Sequence, residues 1–147
     1  MLKSAPLFLC FVIIQITRIS TIDYMIHVIA TILTAFVAIE HVYIIWMEMF
    51  AWETAGKKTF GKSLPHDLFQ PTKGLAANQG LYNGFLVAGL AWSFLIENAD
   101  WSINIRLFFL GCVAIAGIFG ALTASKKIFF VQALPALVAI LFVLLSK

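Results

Sequence analysis

The sequence predicts an all-α protein: an integral membrane four-helix bundle preceded by an additional N-terminal apolar segment. Of its 147 residues, 62% are hydrophobic and only 12% are charged, whereas a typical soluble domain has about 25% charged residues. The mean hydropathy is +0.98. A soluble domain of this size exposes a large fraction of its surface and could not hide so much apolar area. A bilayer is therefore the expected solvent for one such domain.

Residues 1–24 are predicted to be an N-terminal extension of a transmembrane domain that covers residues 25–147. The apolar run Leu7–Ile14 is short for a span and has the length of a signal-peptide core. The stretch Arg18–Asp23 is not a cleavage site, however, and Met25 follows directly before a long apolar helix. Three interpretations stay open: an extra helix, a poor signal peptide, or an over-called start. We favour an extra helix that is peripheral to function.

The rest of the chain contains four apolar stretches long enough to be helices that cross a bilayer. Their approximate bounds are Tyr24–Trp52, Ala76–Ile96, Leu107–Ala124 and Ile128–Leu145. The connection between the first two, Glu53–Leu75, is long for packed helices and contains several glycines and prolines. It is either a functional loop on the membrane surface or a solvated connector.

The positions of the basic residues predict the orientation. The first and third loops share one side of the membrane and contain six lysines: Lys57, Lys58, Lys62, Lys73, Lys126 and Lys127. The opposite side contains Arg18, Arg106 and Lys147. Because cytoplasmic loops carry the excess of basic residues, the sequence predicts a multi-pass protein of the cytoplasmic (inner) membrane with the first and third loops in the cytoplasm.

The segment Ile39–Trp52 places three ionisable side chains, Glu40, His41 and Glu48, in a helix otherwise suited to lipid. Such groups at membrane depth are costly unless they face the protein interior and find partners. His41 and Glu48 lie on one helical line with His27 and Thr34, whereas Glu40 projects about 100° away from His41. Either these groups form a proton-handling pathway, or they make the interhelical hydrogen bonds that fix packing.

Other polar residues are predicted to lie in the same cytoplasmic half of the bundle. Four of them occupy the first two turns of the second helix, and Gln132 lies about one turn into the fourth. Together they form a candidate polar cavity, lined by Glu40, His41, Glu48, Asn78, Gln79, Tyr82, Asn83 and Gln132. A ridge of glycines and alanines on the second helix is expected to pack against the third.

Several kinds of chemistry have no support in the sequence. Cys10 and Cys112 each lie in an apolar run without a metal-ligand or disulfide spacing. We therefore expect no metal site, and the catalytic residues and cofactors stay unknown. The lysines are not clustered on a soluble face, so nucleic acid is not an expected partner. The lipid bilayer is the expected partner, and a homo-oligomer is a further option because four short helices enclose little volume.

The order of short motifs along the chain resembles the small bacterial membrane proteins grouped as domain-of-unknown-function family 1304. The motifs are Glu40-His41-x-Tyr43-Ile44, Glu48-Met49-Phe50, Asn78-Gln79-Gly80-x-Tyr82-Asn83-Gly84, Ala116-Gly117-Ile118-Phe119-Gly120-Ala121 and Gln132-x-x-Pro135. The resemblance covers about Met25–Leu145. It implies a multi-span protein of the cytoplasmic membrane and supplies no reaction.

A second, architectural resemblance is to the membrane-associated proteins of eicosanoid and glutathione metabolism. Those proteins also have four helices, a cytoplasmic first loop and polar residues at the start of the second helix. The Arg and Glu with which such enzymes bind glutathione have no counterpart here, and Tyr82 stands near the position of the acid. This resemblance implies the architecture and not a glutathione site.

Three classes of function are compatible with these residues. The first is a small-molecule or proton-coupled carrier in which Glu40 and His41 bind and release protons. The second is a membrane enzyme acting on a lipophilic substrate, with Tyr82, Asn78 and Glu48 as polarising groups. The third is a structural or accessory membrane protein whose polar residues only specify how the helices pack.

Overall fold

The computed structural model describes the backbone of residues 5–147 and the side chains of residues 20–147. This part of the chain is helical and contains no β-strand, which confirms the all-α prediction. Five α-helices follow one another: α1 (Ala5–Phe50), α2 (Lys57–Phe60), α3 (Lys73–Ser93), α4 (Ala99–Thr123) and α5 (Leu134–Leu145).

Helix α1 is one continuous helix of 46 residues, not a core helix that begins near Tyr24 after a separate segment. Its sequence explains the continuity, because neither glycine nor proline occurs between Leu7 and Phe50. The polar residues Arg18–Asp23 do not interrupt a backbone that lacks such breakers. The nature of the extension stays a prediction, since residues 1–4 and the side chains through residue 19, including Cys10, lie outside the described residues.

The connection after α1 is more ordered than a plain loop. It begins with a π-helical turn, Trp52–Gly56, continues through the short helix α2, and includes a 3₁₀ turn at His66–Leu68. Phe69 belongs to this connection, and its side chain is fully buried. Its ring centroid lies 5.1 Å from the Trp52 ring centroid. The connection is therefore folded onto the end of α1.

Helix α4 begins eight residues earlier than the predicted start at Leu107. Asn98 caps it, because its side-chain oxygen accepts a hydrogen bond from the Trp101 backbone N–H at 3.0 Å. Asp100 lies in the first turn, where a negative charge is favourable. Arg106, expected in a loop, consequently lies inside α4.

Proline explains the irregular start of the last helix. Pro135 cannot donate a backbone hydrogen bond, and the five residues Phe129–Ala133 before α5 form a π-helical turn. Such turns commonly arise where the regular hydrogen-bond ladder of a helix is interrupted. Gln132 lies within this turn.

The four long helices pack side by side in an alternating order. Helix α1 packs along α3 and α5, and α4 packs along the same two helices on the other side. Glu48 meets Asn83 whereas Trp52 meets Thr72, so α1 and α3 are antiparallel. The close approaches of Gly117 to Ala133 and of Gly120 to Ile128 show that α4 and the last helical segment are antiparallel too.

A common core lies between these helices. It contains small and medium apolar side chains from α1, α3, α4 and α5: Ala30, Val37, Leu90, Leu110, Val113, Ala114, Ala136, Ala139 and Val143. The ridge of glycines and alanines on α3 was expected to pack against α4. This is wrong for Gly80, the residue of the ridge that is buried. A Cβ on Gly80 would meet Met49 and Glu48, so this close approach is to α1.

Two stretches of the described chain are long and apolar enough to cross a membrane: Ser20–Phe50 and Ala99–Thr123. Phe129–Leu145 is a shorter apolar helix. Helix α3 is not among these stretches, and it carries Asn78, Gln79 and Asn83 in its first half. Of the four predicted spans, two are thus confirmed as helices that are long and apolar enough to cross a membrane.

We expect Gly117→Ala to destabilise the protein. A Cβ at this position would lie 2.6 Å from the Ala133 backbone nitrogen, so α4 and the π-helical turn would have to separate, at a cost of about 1–3 kcal/mol. Gly111→Ala in the same helix is the control, because a Cβ there meets nothing within 4 Å and alanine is the better helix former. Thermal unfolding in detergent measures both. Equal unfolding temperatures for the two variants would contradict this packing.

Candidate functional site

His41 is a fully buried polar residue in the middle of the packed helices. Its Nδ1 lies 2.8 Å from the Val37 carbonyl oxygen one turn earlier. Because a carbonyl only accepts, Nδ1 carries a proton and donates it to this bond. Thr34 is buried on the same line and donates its hydroxyl to the Ala30 carbonyl. The spacing of this polar stripe correctly predicts that Thr34 and His41 face the interior; His27 on the same stripe is exposed.

The second ring nitrogen of His41 meets Gln132. The Nε2 atoms of the two side chains lie 3.2 Å apart, and with Nδ1 protonated, the neutral imidazole accepts a hydrogen bond from the Gln132 amide. The π-helical turn before Pro135 carries Gln132. This bond therefore joins α1 to the irregular start of the last helix, and both ring nitrogens of the buried histidine are satisfied.

Glu48 and Asn83 form a second polar pair between helices. The Asn83 Nδ2 donates to the Glu48 Oε2 at 2.8 Å, and both side chains are partly buried. Gly80, one turn before Asn83, is buried against α1 and lets the two backbones approach closely. The pair thus holds α1 to α3 two residues from the end of α1.

Glu40 differs from the other two ionisable groups. The side chain is half-buried, and its Oε2 is buried without a hydrogen-bond partner. Glu40 lies about 15 Å from the end of α1 at Phe50, taking ~1.5 Å per residue. No basic residue in the described part of the chain forms an ion pair with it. A carboxyl oxygen in this setting has an unmet requirement for a donor or a proton.

The remaining predicted residues stand apart from these two pairs. Asn78, Gln79 and Tyr82 are exposed on α3. Tyr82 lies beside Phe85, with ring centroids 6.2 Å apart. The structure therefore brings together His41 with Gln132 and Glu48 with Asn83, and leaves three of the eight residues on the outer surface of α3. Whether the eight act as one cavity stays a prediction.

The end of α1 carries a set of contacts that the spacing of the sequence did not predict. Trp52 Nε1 donates to the Thr72 hydroxyl at 3.1 Å. The Lys73 ammonium lies 3.1 Å from a Glu53 carboxylate oxygen, in an exposed ion pair. These contacts close the connection onto the end of α1 next to the Glu48–Asn83 pair.

Arg106, which the sequence analysis placed in a loop, lies inside α4 and contacts residues from two other parts of the fold. Its Nη1 donates to the Thr31 hydroxyl at 3.3 Å. Its guanidinium carbon lies 4.7 Å from the centroid of the Phe94 ring. The Asn98 cap, followed by an acid two residues later, is the signal that could have moved the start of α4 upstream and placed Arg106 in the helix.

Within residues 20–147, no group of three or more His, Cys, Asp or Glu side chains could hold a metal ion. Cys112 is a half-buried free thiol. A shallow apolar groove of about 310 Å³ lies at the turn between α4 and α5, lined by Ala121, Leu122, Lys126, Phe129 and Phe130. The predicted polar residues do not line this groove.

We expect Asn83→Ala to destabilise the protein, since it leaves the half-buried Glu48 carboxylate without its donor. The expected loss is about 1–2 kcal/mol, since leaving a buried polar group without its partner costs about 1–3 kcal/mol and the Glu48 carboxylate is only partly buried. Asn78→Ala is the matched control: the same residue type in the same helix, but exposed. Its effect should stay within about 0.5 kcal/mol. Denaturant or thermal unfolding in detergent compares them, and an Asn78→Ala variant as unstable as Asn83→Ala would contradict the pairing.

Comparison with known proteins gives a family and no reaction. Residues 35–144 match the model of a family described as "Protein of unknown function (DUF1304)". The chain is also similar to the "Uncharacterized protein YpaA" of Lactococcus lactis, with 30% identity over 122 residues, which is 78% of this chain and 95% of the relative. No solved structure matches. The matched region contains both polar pairs, and the chain belongs to the DUF1304 family.

Proposed function

We propose that the protein is a multi-pass integral protein of the cytoplasmic membrane. The exposed surface of its apolar helices carries this proposal. In each of Ser20–Phe50 and Ala99–Thr123, only 22% of an apolar stretch of 18 residues is buried inside the protein. The core helix of a soluble protein would be mostly buried, and a monomeric soluble protein rarely exposes large continuous apolar patches. Lipid is the solvent that suits such a surface.

The exposed side chains along these helices are large and apolar. They include Phe36, Ile39, Phe108, Ile115, Phe119 and Leu122, each more than half exposed. The six lysines of the first and third loops support an orientation with these loops in the cytoplasm. In this arrangement the end of α1 at Phe50 and the start of α3 face the cytoplasm, and the connection between α3 and α4 faces outward.

Cysteine labelling tests the membrane insertion and its orientation. In a variant with both native cysteines replaced by serine, a new cysteine at Ser63 should react with a membrane-impermeant maleimide only after the cells are permeabilised. A cysteine at Glu97 should react in intact cells, because the connection before α4 is expected outside. Both positions are exposed. Equal labelling of the two positions in intact cells, or recovery of the protein in the soluble fraction, would contradict the proposal.

Within this framework we infer a proton-coupled carrier in which Glu40 and His41 bind protons. The observation that carries this inference is the buried Glu40 Oε2 that has no hydrogen-bond partner, one residue from a fully buried histidine. Ionisable groups at membrane depth commonly belong to proton relays and substrate paths. Because the two side chains project about 100° apart, each faces different neighbours and they act as two sites.

The neighbours of His41 offer a way to couple proton binding to helix position. In its neutral form His41 accepts from Gln132. When Nε2 also gains a proton it becomes a donor, so Gln132 must turn its amide and offer the oxygen instead. The polar groups that face this part of α1 are Gln132 from the last helix and Asn83 from α3. No lysine or arginine of the described chain pairs with Glu40, His41 or Glu48.

A structural or accessory role is the second candidate function. The specific observation in its favour is that both polar pairs are closed interhelical contacts, with the ring nitrogens of His41 fully used. The enzyme alternative has less support, because Glu48 bonds to Asn83 whereas Asn78 and Tyr82 are exposed. A cytoplasm-facing polar cavity would require the pairs to part in another conformation.

Proton flux into proteoliposomes tests the carrier, which we expect to conduct protons slowly even without its co-transported substrate. Vesicles that contain a pH-sensitive dye and the wild-type protein should acidify faster than empty vesicles when a potassium gradient and valinomycin impose an inside-negative potential. Glu40→Gln, which keeps the shape and removes the titrating group, should lower this rate to that of empty vesicles. Glu97→Gln, an exposed acid in the outward connection, should leave the rate unchanged.

Two results would overturn the carrier and favour the packing role. One is a wild-type rate equal to that of empty vesicles. The other is a Glu40→Gln rate equal to wild type, with only its unfolding temperature changed. The unfolding temperature of each variant in detergent is measured alongside, so that a loss of flux is not mistaken for a loss of fold.

A further inference from the structure

Arg106 lies between three helices at the end of the molecule opposite Glu48. It belongs to α4, its Nη1 bonds to Thr31 of α1, and its guanidinium stacks against Phe94 just after α3. The side chain is half-buried, so part of the guanidinium stays accessible. The two contacts hold the guanidinium in one place.

The positive charge of Arg106 has no counter-charge in the described chain. The one ion pair there is Lys73–Glu53, at the other end of the molecule. Asp100, six residues earlier in α4, lies about 120° around the helix. The Arg106 Nε is a buried donor without an acceptor. A threonine hydroxyl and an aromatic face orient a guanidinium, but neither neutralises it.

The depth of Arg106 suits an anion at the membrane interface. It lies seven residues from the start of α4, or about 10 Å at ~1.5 Å per residue. Side chains of a helix point toward its N-terminus, which is the outward end of α4 in the proposed orientation. An arginine at this depth can reach the level of the lipid headgroups.

We propose that Arg106, oriented by Thr31 and Phe94, binds an oxyanion at the outward face: the phosphate of an anionic lipid or a soluble phosphate. Guanidinium groups match phosphate oxygens with parallel hydrogen bonds, which a point charge cannot do. The bound anion supplies the missing counter-charge. The inference uses the proposed membrane orientation only for its depth argument and does not depend on proton flux.

Ligand titration of the delipidated protein in a neutral detergent tests the site. The unfolding temperature is followed with phosphatidylglycerol, with phosphatidylcholine, and with inorganic phosphate against chloride at equal ionic strength. Wild type should gain more from phosphatidylglycerol than from phosphatidylcholine. Arg106→Gln should bind phosphatidylglycerol about ten- to a hundredfold more weakly, as expected for the loss of charged hydrogen bonds.

Two further variants make the result specific. Lys147→Gln removes one exposed positive charge on the same side and should keep the wild-type affinity. Arg106→Lys keeps the charge without the planar fork and should bind with intermediate affinity; this variant also serves if Arg106→Gln does not fold.

The titrations with phosphatidylglycerol and with inorganic phosphate identify the source of the ligand. Stabilisation by phosphatidylglycerol alone indicates a lipid headgroup, and stabilisation by inorganic phosphate as well indicates a soluble oxyanion. The proposal is overturned if neither anion stabilises the wild-type protein. It is also overturned if every Arg106 variant that folds binds the anion as tightly as the wild-type protein does. Because these titrations need no vesicles, a failed flux assay leaves them decisive.

Discussion

A buried polar side chain has to find a hydrogen-bond partner, and for His41 and Glu48 a partner lies on a neighbouring helical segment, which constrains how α1 packs against its neighbours. Leaving such a group unpaired costs about 1–3 kcal/mol, more than most single packing contacts contribute. His41 finds Gln132 across 91 residues of sequence, and Glu48 finds Asn83 across 35. Apolar contacts alone let helices slide and rotate with little penalty, so these two bonds help to fix the position of α1 relative to its neighbours.

The charges of the molecule are separated along its length. Among the side chains that the structure describes, residues 20–147, Glu40 and Glu48 lie toward the lysine-rich end without basic partners, and Arg106 lies toward the other end without an acid. Thr31, which holds Arg106, is nine residues from Glu40, or about 13 Å along α1. A protein built only for packing would gain by pairing these charges or by removing them. In the two proposals made above, this separation lets each end bind its own partner: a proton at one end and an anion at the other.

The sequence was a good guide to helix faces and a poor guide to helix neighbours and ends. Heptad spacing correctly placed Thr34 and His41 inside, because a fixed angle per residue decides which side chains share a face. Spacing could not say that Gly80 packs on α1, since a ridge of small residues fits any helix that comes close. The predicted start of α4 was eight residues too late because Asp100 and Arg106 interrupt the apolar pattern, whereas the helix begins after the Asn98 cap. Common depth placed Glu48 and Asn83 in the same half of the bundle, but it could not say that the two side chains bond to each other or that Asn78 and Tyr82 are exposed, because both depend on where α1 lies.

The π-helical turn Phe129–Ala133 also affects how relatives should be aligned. A turn of this kind accommodates one residue more than an α-helical turn of the same rise. A relative that lacks one residue in this stretch can form a regular helix there while the helical segments on either side keep their faces. A one-residue gap in the regular part of the helix would instead rotate the side chains before it by about 100° relative to those after it. Gap placement is therefore a structural statement: a gap within Phe129–Ala133 keeps Ile128 against Gly120 and Ala136 in the core, and a gap further along the helix does not.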